Sequence, residues 1–314
     1  MINLDLNWQQ AGALAGVLAV AAAAMLRQSR VLAPVRQPAQ TESPAGTTAD
    51  DDTIARRGVT ARRLAAAGGF VREAALVVGL FAMWQLAGSL SALGPAGAIG
   101  RARWLWHAER VLHLPNEASL QRLVLPHPIL AQAFDLYYDV LHFPVLIGCM
   151  IWLFVRHRDR YGQFRTTLVA FTGICLLIQL IPVAPPRLLP GIGMVDTAAV
   201  YGQSVYSTAG GFEADQLSAM PSVHVGWAIL VAVAIIAVTR SRWRWLAVGY
   251  PVLTTLAVVV TANHFWLDGI VAAAVLGLVL AAQSAWRRRR AVRAESVAEL
   301  TPRRGSLAAR GTQL

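Results

Sequence analysis

The chain has 314 residues, of which 56% are hydrophobic and 14% charged, and its formal net charge is +11. Soluble domains carry about a quarter charged residues, so the composition excludes an ordinary soluble protein and predicts a polytopic membrane protein. All 28 basic residues are arginine. Their clustering between apolar runs assigns the positive charge to membrane orientation rather than to nucleic acid.

Taken in chain order, seven apolar runs approach the roughly 20 residues that a helix needs to cross a bilayer. They lie near 10–26, 72–93, 138–155, 164–183, 222–239, 244–262 and 266–286. The first follows a leader, MINLDLNW, that lacks the basic residues of a secretory signal. It is expected to be a genuine span, so residues 1–27 form an amino-terminal transmembrane helix. Residues 28–60 include QPAQTESPAGTTADDD and are expected to be a disordered cytoplasmic linker. Residues 61–286 then form a membrane-embedded catalytic domain. Within it, 94–137 holds two amphipathic pieces expected to lie flat in the interface, with Trp104 and Trp106 at headgroup depth. Residues 287–314 make a basic cytoplasmic tail. Cys149 and Cys175 fall inside apolar runs and are expected to be packing residues.

An outside amino terminus puts 23 of the 28 arginines on the inner side. That bias predicts a cytoplasmic carboxyl terminus in the plasma membrane. It also brings segments 184–221 and 261–265 to the same, extracytoplasmic face. Each leads into a histidine motif at the start of an apolar run.

Histidine at a membrane edge is costly without a partner or a task. His264 and Asp268 are four residues apart and share one helix face. His224 stands in the first turn after Pro221 and Ser222, with Pro221 expected in that turn and Ser218 as its cap. The free amides of a helix start and the Ser222 hydroxyl suit an oxyanion. Arg187, after Pro182, Pro185 and Pro186, offers a guanidinium for bidentate phosphate contact. These groups predict phosphoryl transfer: His264 attacks phosphorus, Asp268 orients it, and His224 protonates the departing oxygen. His142 stands on the same face, where it either orients substrate or hydrogen-bonds a carbonyl. Tyr137 and Tyr138 read as interfacial anchors, with Tyr138 also a candidate substrate contact. An interfacial salt bridge is the plainer reading of His264 and Asp268 taken alone. No P-loop, dinucleotide fingerprint or zinc spacing appears.

Pro221-Ser222-x-His224 followed by His264-x3-Asp268 resembles the core motif of the type-2 phosphatidic acid phosphatase superfamily. Pro185-Pro186-Arg187 and Tyr137-x4-His142 look like the branch that includes inositol-phosphoceramide synthases. The resemblance covers roughly 130–285. It implies an all-α transmembrane bundle with a six-helix core, no metal or other cofactor, and a phosphohistidine at His264. It implies a lipid phosphate as substrate, with water or an alcohol as acceptor. The sequence departs from the superfamily's phosphatases in two places. It contains no lysine, and Arg187 is followed by Leu188 rather than proline; Ala257 and Val258 stand where Ser-Arg is usual. The lost cations favour a monoanionic diester, hence transfer of a phospho-alcohol group of the inositol-phosphate kind. A lipid phosphate or isoprenoid pyrophosphate phosphatase is the alternative enzyme, and a non-catalytic lipid-headgroup binder or carrier the alternative outside enzymes.

Overall fold

The computed structural model describes residues 7–33, 48–92, 97–201 and 217–300. All its regular elements are helical among the described residues. Among the described residues, six helices are long and apolar enough to cross a membrane, and a seventh, Val223–Val238, is apolar but shorter. The protein is a multi-pass, all-α membrane protein.

Residues 7–33 and 48–92 belong to one compact unit. It is built on α1 (Trp8–Leu32) and α2 (Thr48–Ala92). A capping box starts α1: Gln10 N–H donates to Asn7 Oδ1 at 2.9 Å, and Asn7 N–H donates to Gln10 Oε1 at 3.1 Å. Gly68 of α2 faces Met25 and Leu26, while Gly79 faces Ala15. The pairing runs in opposite directions along the two helices, so they are antiparallel. Small residues at the seam (Ala11, Ala22, Ala61, Ala75 and Ala82 are buried) let the backbones approach. The expected linker over 28–60 is helical at both ends, through Leu32 and again from Thr48. Its middle, 34–47, lies outside the described residues. The stretch from Ile54 to Gly69 is rich in alanine and arginine, both strong helix formers, so α2 starts well before the apolar run.

The second unit holds residues 97–178, 183–201 and 219–300. Two short helices, α3 (Ala98–Val111) and α4 (Glu117–Val124), form a hairpin. Trp104 of α3 is exposed and Trp106 half-buried. Helix α5 (Pro128–Leu136) passes through a π-helical turn, Tyr137–Leu141, into α6 (His142–Arg156). Helix α7 (Arg158–Gln179) ends before the proline segment, and the four-residue α8 (Thr197–Val200) follows. The bundle closes with α9 (Val223–Val238), α10 (Gly249–Val260) and α11 (Trp266–Leu300).

The core sits around α9. Leu230, Val231 and Ala234 pack with Leu146, Cys149 and Leu153 of α6, Phe164, Phe171 and Cys175 of α7, and Ala272 and Leu276 of α11. Both cysteines are free and buried, as packing residues should be. The Phe171 ring occupies the space where a Cβ on Gly226 would go, so the close approach of α9 to α7 at this point requires a glycine. Sixteen residues of helix rise about 24 Å, less than the ~30 Å hydrocarbon core. A helix this short serves as the buried centre of the bundle, with Val225, Ala228, Leu230, Val231 and Ala234 all buried. At its far end, Arg242 and Arg244 lie over the rings of exposed Trp243 and Trp245, and Arg290 lies over Trp286. Such pairs suit the headgroup layer. Helix α11 runs on past the arginine run to Leu300, because alanine, arginine and glutamate all favour helix. Residues 301–314 of the expected tail lie outside the described residues.

Candidate active site

The start of α9 differs from expectation. Ser222, not Ser218, is the cap, and its Oγ accepts from Val225 N–H. Pro221 therefore precedes the helix instead of entering its first turn. Ser222 is fully buried, and its own N–H donates to the Asp268 carbonyl at 3.1 Å. That bond ties the start of α9 to the first turn of α11. The amide of Asn263 and that of His264 both donate to the Val258 carbonyl, closing a tight turn at the end of α10. Ala262 takes positive φ in this turn.

His264 emerges from that turn, 4% exposed. Its Nδ1 lies 2.7 Å from the Ala219 carbonyl and 3.3 Å from Asp268 Oδ2. Both neighbours accept only, so the proton resides on Nδ1 and the lone pair on Nε2. Asp268 Oδ2 also accepts from Phe265 N–H at 2.9 Å, which fixes the carboxylate relative to the turn. Asp268 is fully buried. The expected His264–Asp268 pairing is present, but the closer partner of Nδ1 is a backbone carbonyl that no side-chain pattern reveals.

The imidazole of His224 lies 5.8 Å from that of His264, centroid to centroid. Tyr138, on the π-helical turn, stacks obliquely at 4.5 Å from His224 and meets His264 edge-on at 6.5 Å. His142 is 4.8 Å from His224 on the other side of this aromatic cluster, at 1% exposure. It stacks on Trp227 at 5.4 Å, and its Nδ1 lies 3.3 Å from the Tyr250 hydroxyl. His142 is thus a buried neighbour of His224. Neither Trp227 nor Tyr250 was singled out by the sequence, because each sits inside an apolar run as an ordinary core aromatic would.

Arg187 is nearly buried, and its amide donates to the Ala262 carbonyl at 3.0 Å. Its Nη1 donates to Asn263 Oδ1, and its Nε lies 3.5 Å from Asp196 Oδ2. The guanidinium is therefore fastened to the turn that presents His264. All seven side chains singled out by the sequence (His264, Asp268, His224, Arg187, Ser222, His142 and Tyr138) gather at one end of this helical unit. No group of three or more His, Cys, Asp or Glu is placed to hold a metal among the described residues.

The α3–α4 hairpin contributes contacts that the interfacial reading of 94–137 did not foresee. Glu109 is fully buried, and its Oε1 accepts from Leu267 N–H in the first turn of α11 at 2.7 Å. Glu117, also buried, faces Arg110 at 2.8 Å. Burial, with Glu117 alongside, pushes the Glu109 carboxyl up to about 9. Gln121, fully buried, donates to the Val260 and Val195 carbonyls, each at 2.8 Å. The only hint in the sequence was two carboxylates in an otherwise apolar and basic stretch.

A family model described as the PAP2 superfamily matches residues 103–282, more than half of the chain. No curated protein and no solved structure matches it. The matched span starts within α3, takes in the hairpin, and includes every site residue named above. Membership supports a lipid phosphoesterase of the phosphatase or phosphotransferase type. With its paired histidines on adjoining helix starts and this match over the second unit, the chain belongs to the PAP2 superfamily.

Proposed function

We propose that the protein transfers a phospho-alcohol group, of the inositol-phosphate kind, from a lipid phosphodiester through a phosphohistidine on His264. The observation that carries this reading is the double acceptor at His264 Nδ1, which leaves Nε2 as a nucleophile. In the first step Nε2 attacks phosphorus, and the bond from phosphorus to the lipid oxygen breaks. His224 delivers the proton that this oxygen takes up, and the lipid alcohol leaves. Asp268 and the Ala219 carbonyl stabilise the imidazolium that forms. In the second step an alcohol or water hydroxyl attacks the phosphohistidine, His224 takes its proton, and His264 is regenerated. Arg187, Ser222 and the amides at the start of α9 hold the phosphoryl oxygens, with Tyr138 and His142 shaping the pocket around His224. No metal enters these steps.

Electrostatics favour the diester. A phosphomonoester is close to a dianion at neutral pH, whereas a diester is a monoanion. Asp196 already offsets part of the charge on Arg187, and Arg110 is committed to Glu117. Together with the missing lysine and the Ala257-Val258 pair, this is a weak cation set for a dianion. The same features support the branch that resembles inositol-phosphoceramide synthases. The arginine distribution supports a site on the extracytoplasmic face of the plasma membrane, with the carboxyl terminus in the cytoplasm.

The test is turnover by the purified full chain in chelator. Phosphatidylinositol, phosphatidic acid and an isoprenoid pyrophosphate are supplied separately, with and without an added long-chain alcohol. The reading expects preference for phosphatidylinositol and a new phosphodiester product when the alcohol is present. Strong preference for phosphatidic acid, with free phosphate released, would refute transfer. Headgroup binding without turnover of any of the three would point to a carrier.

A further inference from the structure

Three contacts bracket the segment that carries His264. Gln121 of α4 holds the Val260 carbonyl before it. The Pro115 carbonyl, in the turn between α3 and α4, accepts from the Trp266 indole N–H after it, at 2.9 Å. Glu109 of α3 holds Leu267 N–H one residue further, next to Asp268. His264 thus lies between anchors supplied by one hairpin, at Val260 on one side and at Trp266 and Leu267 on the other, and Asp268 directly follows the last of them. The hairpin is itself cross-braced, because Arg110 donates to the Pro115 carbonyl at 3.2 Å and to Glu117 at 2.8 Å.

Glu109 has an unusual environment for an anchor. Its second oxygen, Oε2, and Glu117 Oε1 are both buried without a hydrogen-bond partner if both groups are ionised. Two such oxygens side by side are costly. A single proton between the carboxyls satisfies both. The groups that face Glu109 are Glu117 and Arg110 from the hairpin, and the Leu267 amide and Asp268 from α11. Protonation also keeps a further negative charge away from Asp268 and from an incoming phosphate.

We propose that the α3–α4 hairpin positions the nucleophile, and that Glu109, sharing a proton with Glu117, is the positioning residue that holds the first turn of α11. The inference rests on the reading of His264 and Asp268 as the reacting pair. Glu109 touches neither substrate nor the reacting atoms; it acts through the Leu267 amide. Loss of its acceptor frees that turn, and a misplacement on the order of 1 Å costs about a hundredfold in rate.

The experiment compares full-length wild type, E109A, E109Q and H264A in detergent micelles. Kinetics are recorded from pH 6 to 10 with phosphatidylinositol and with phosphatidic acid as probes, and thermal melting is followed in parallel. Glutamine keeps an acceptor for Leu267 N–H, can donate to Glu117, and cannot ionise. The expected result is that E109A loses kcat by about a hundredfold with KM unchanged, while E109Q restores most of that loss. Wild-type kcat should fall as the pH rises through about 9, where Glu109 ionises, and E109Q should lack that component. If E109A does not fold, the E109Q profile decides alone. A wild-type kcat in E109A, a loss confined to KM, or an unchanged alkaline limb in E109Q overturns the positioning role. A wild type silent on both probes, or H264A as active as wild type, instead overturns the reading of the site beneath it.

Discussion

At the scale of single residues, the decisive feature is which nitrogen of His264 bears the proton. Where a carboxylate alone holds the reactive tautomer, converting it to the amide costs about 10⁴-fold. Here the Ala219 carbonyl is the nearer acceptor, at 2.7 Å against 3.3 Å for Asp268. Asp268→Asn should therefore preserve the tautomer and lose mainly the stabilisation of the imidazolium. The expected loss in kcat is about 10²-fold, read from initial rates on phosphatidylinositol. A loss near 10⁴-fold would mean that the carbonyl contributes nothing, and no loss would reduce the pair to a structural ion pair. The side chains at this site were legible because histidine and aspartate stand out at a membrane edge. The carbonyl of Ala219 was not, since any residue can supply it and only the fold decides which one does.

At the scale of elements, helix α9 depends on one missing side chain. The Phe171 ring fills the space beside Gly226, so Gly226→Ala must push α7 away from α9. Overpacking of this kind costs about 1–3 kcal/mol, and melting in detergent should show it as a clear drop in Tm. An unchanged Tm would mean that Phe171 moves freely. The α3–α4 hairpin makes a second prediction, through proton linkage. The folded state raises the carboxyl of Glu109 from 4.5 to about 9, so between these values the native chain binds a proton that the unfolded chain releases. Stability is fully present below about 4.5 and declines as the pH rises toward 9. In E109Q this part of the slope should vanish from a Tm-against-pH series, and a slope equal to that of wild type would contradict the shift. The seven apolar runs were legible as elements because a bilayer sets their length. Their ends were less so. Helix α2 begins at Thr48 and α11 reaches Leu300, since helix propensity continues where hydropathy stops. The hairpin was legible as amphipathic pieces but not as a brace, because the partners of Glu109 and Gln121 lie far along the chain.

At the scale of the whole molecule, the fold class followed from composition and the family from two short motifs in order. The residues that give those motifs a common end of the bundle are backbone partners drawn from segments tens of residues apart. The orientation rests on arginine bias, and labelling tests it. In a chain whose two cysteines are replaced by serine, Gly191→Cys should react with a membrane-impermeant maleimide on intact cells. Arg303→Cys should react only after permeabilisation, and the reverse pattern would invert the topology.

The central claim is that His264 becomes covalently phosphorylated during turnover. Rapid quenching of the purified protein with phosphorus-labelled phosphatidylinositol measures this directly. The account predicts an acid-labile, base-stable adduct in wild type, none in H264A, and accumulation or slower decay in H224A. Turnover with no adduct, or an adduct that persists in H264A, would contradict it.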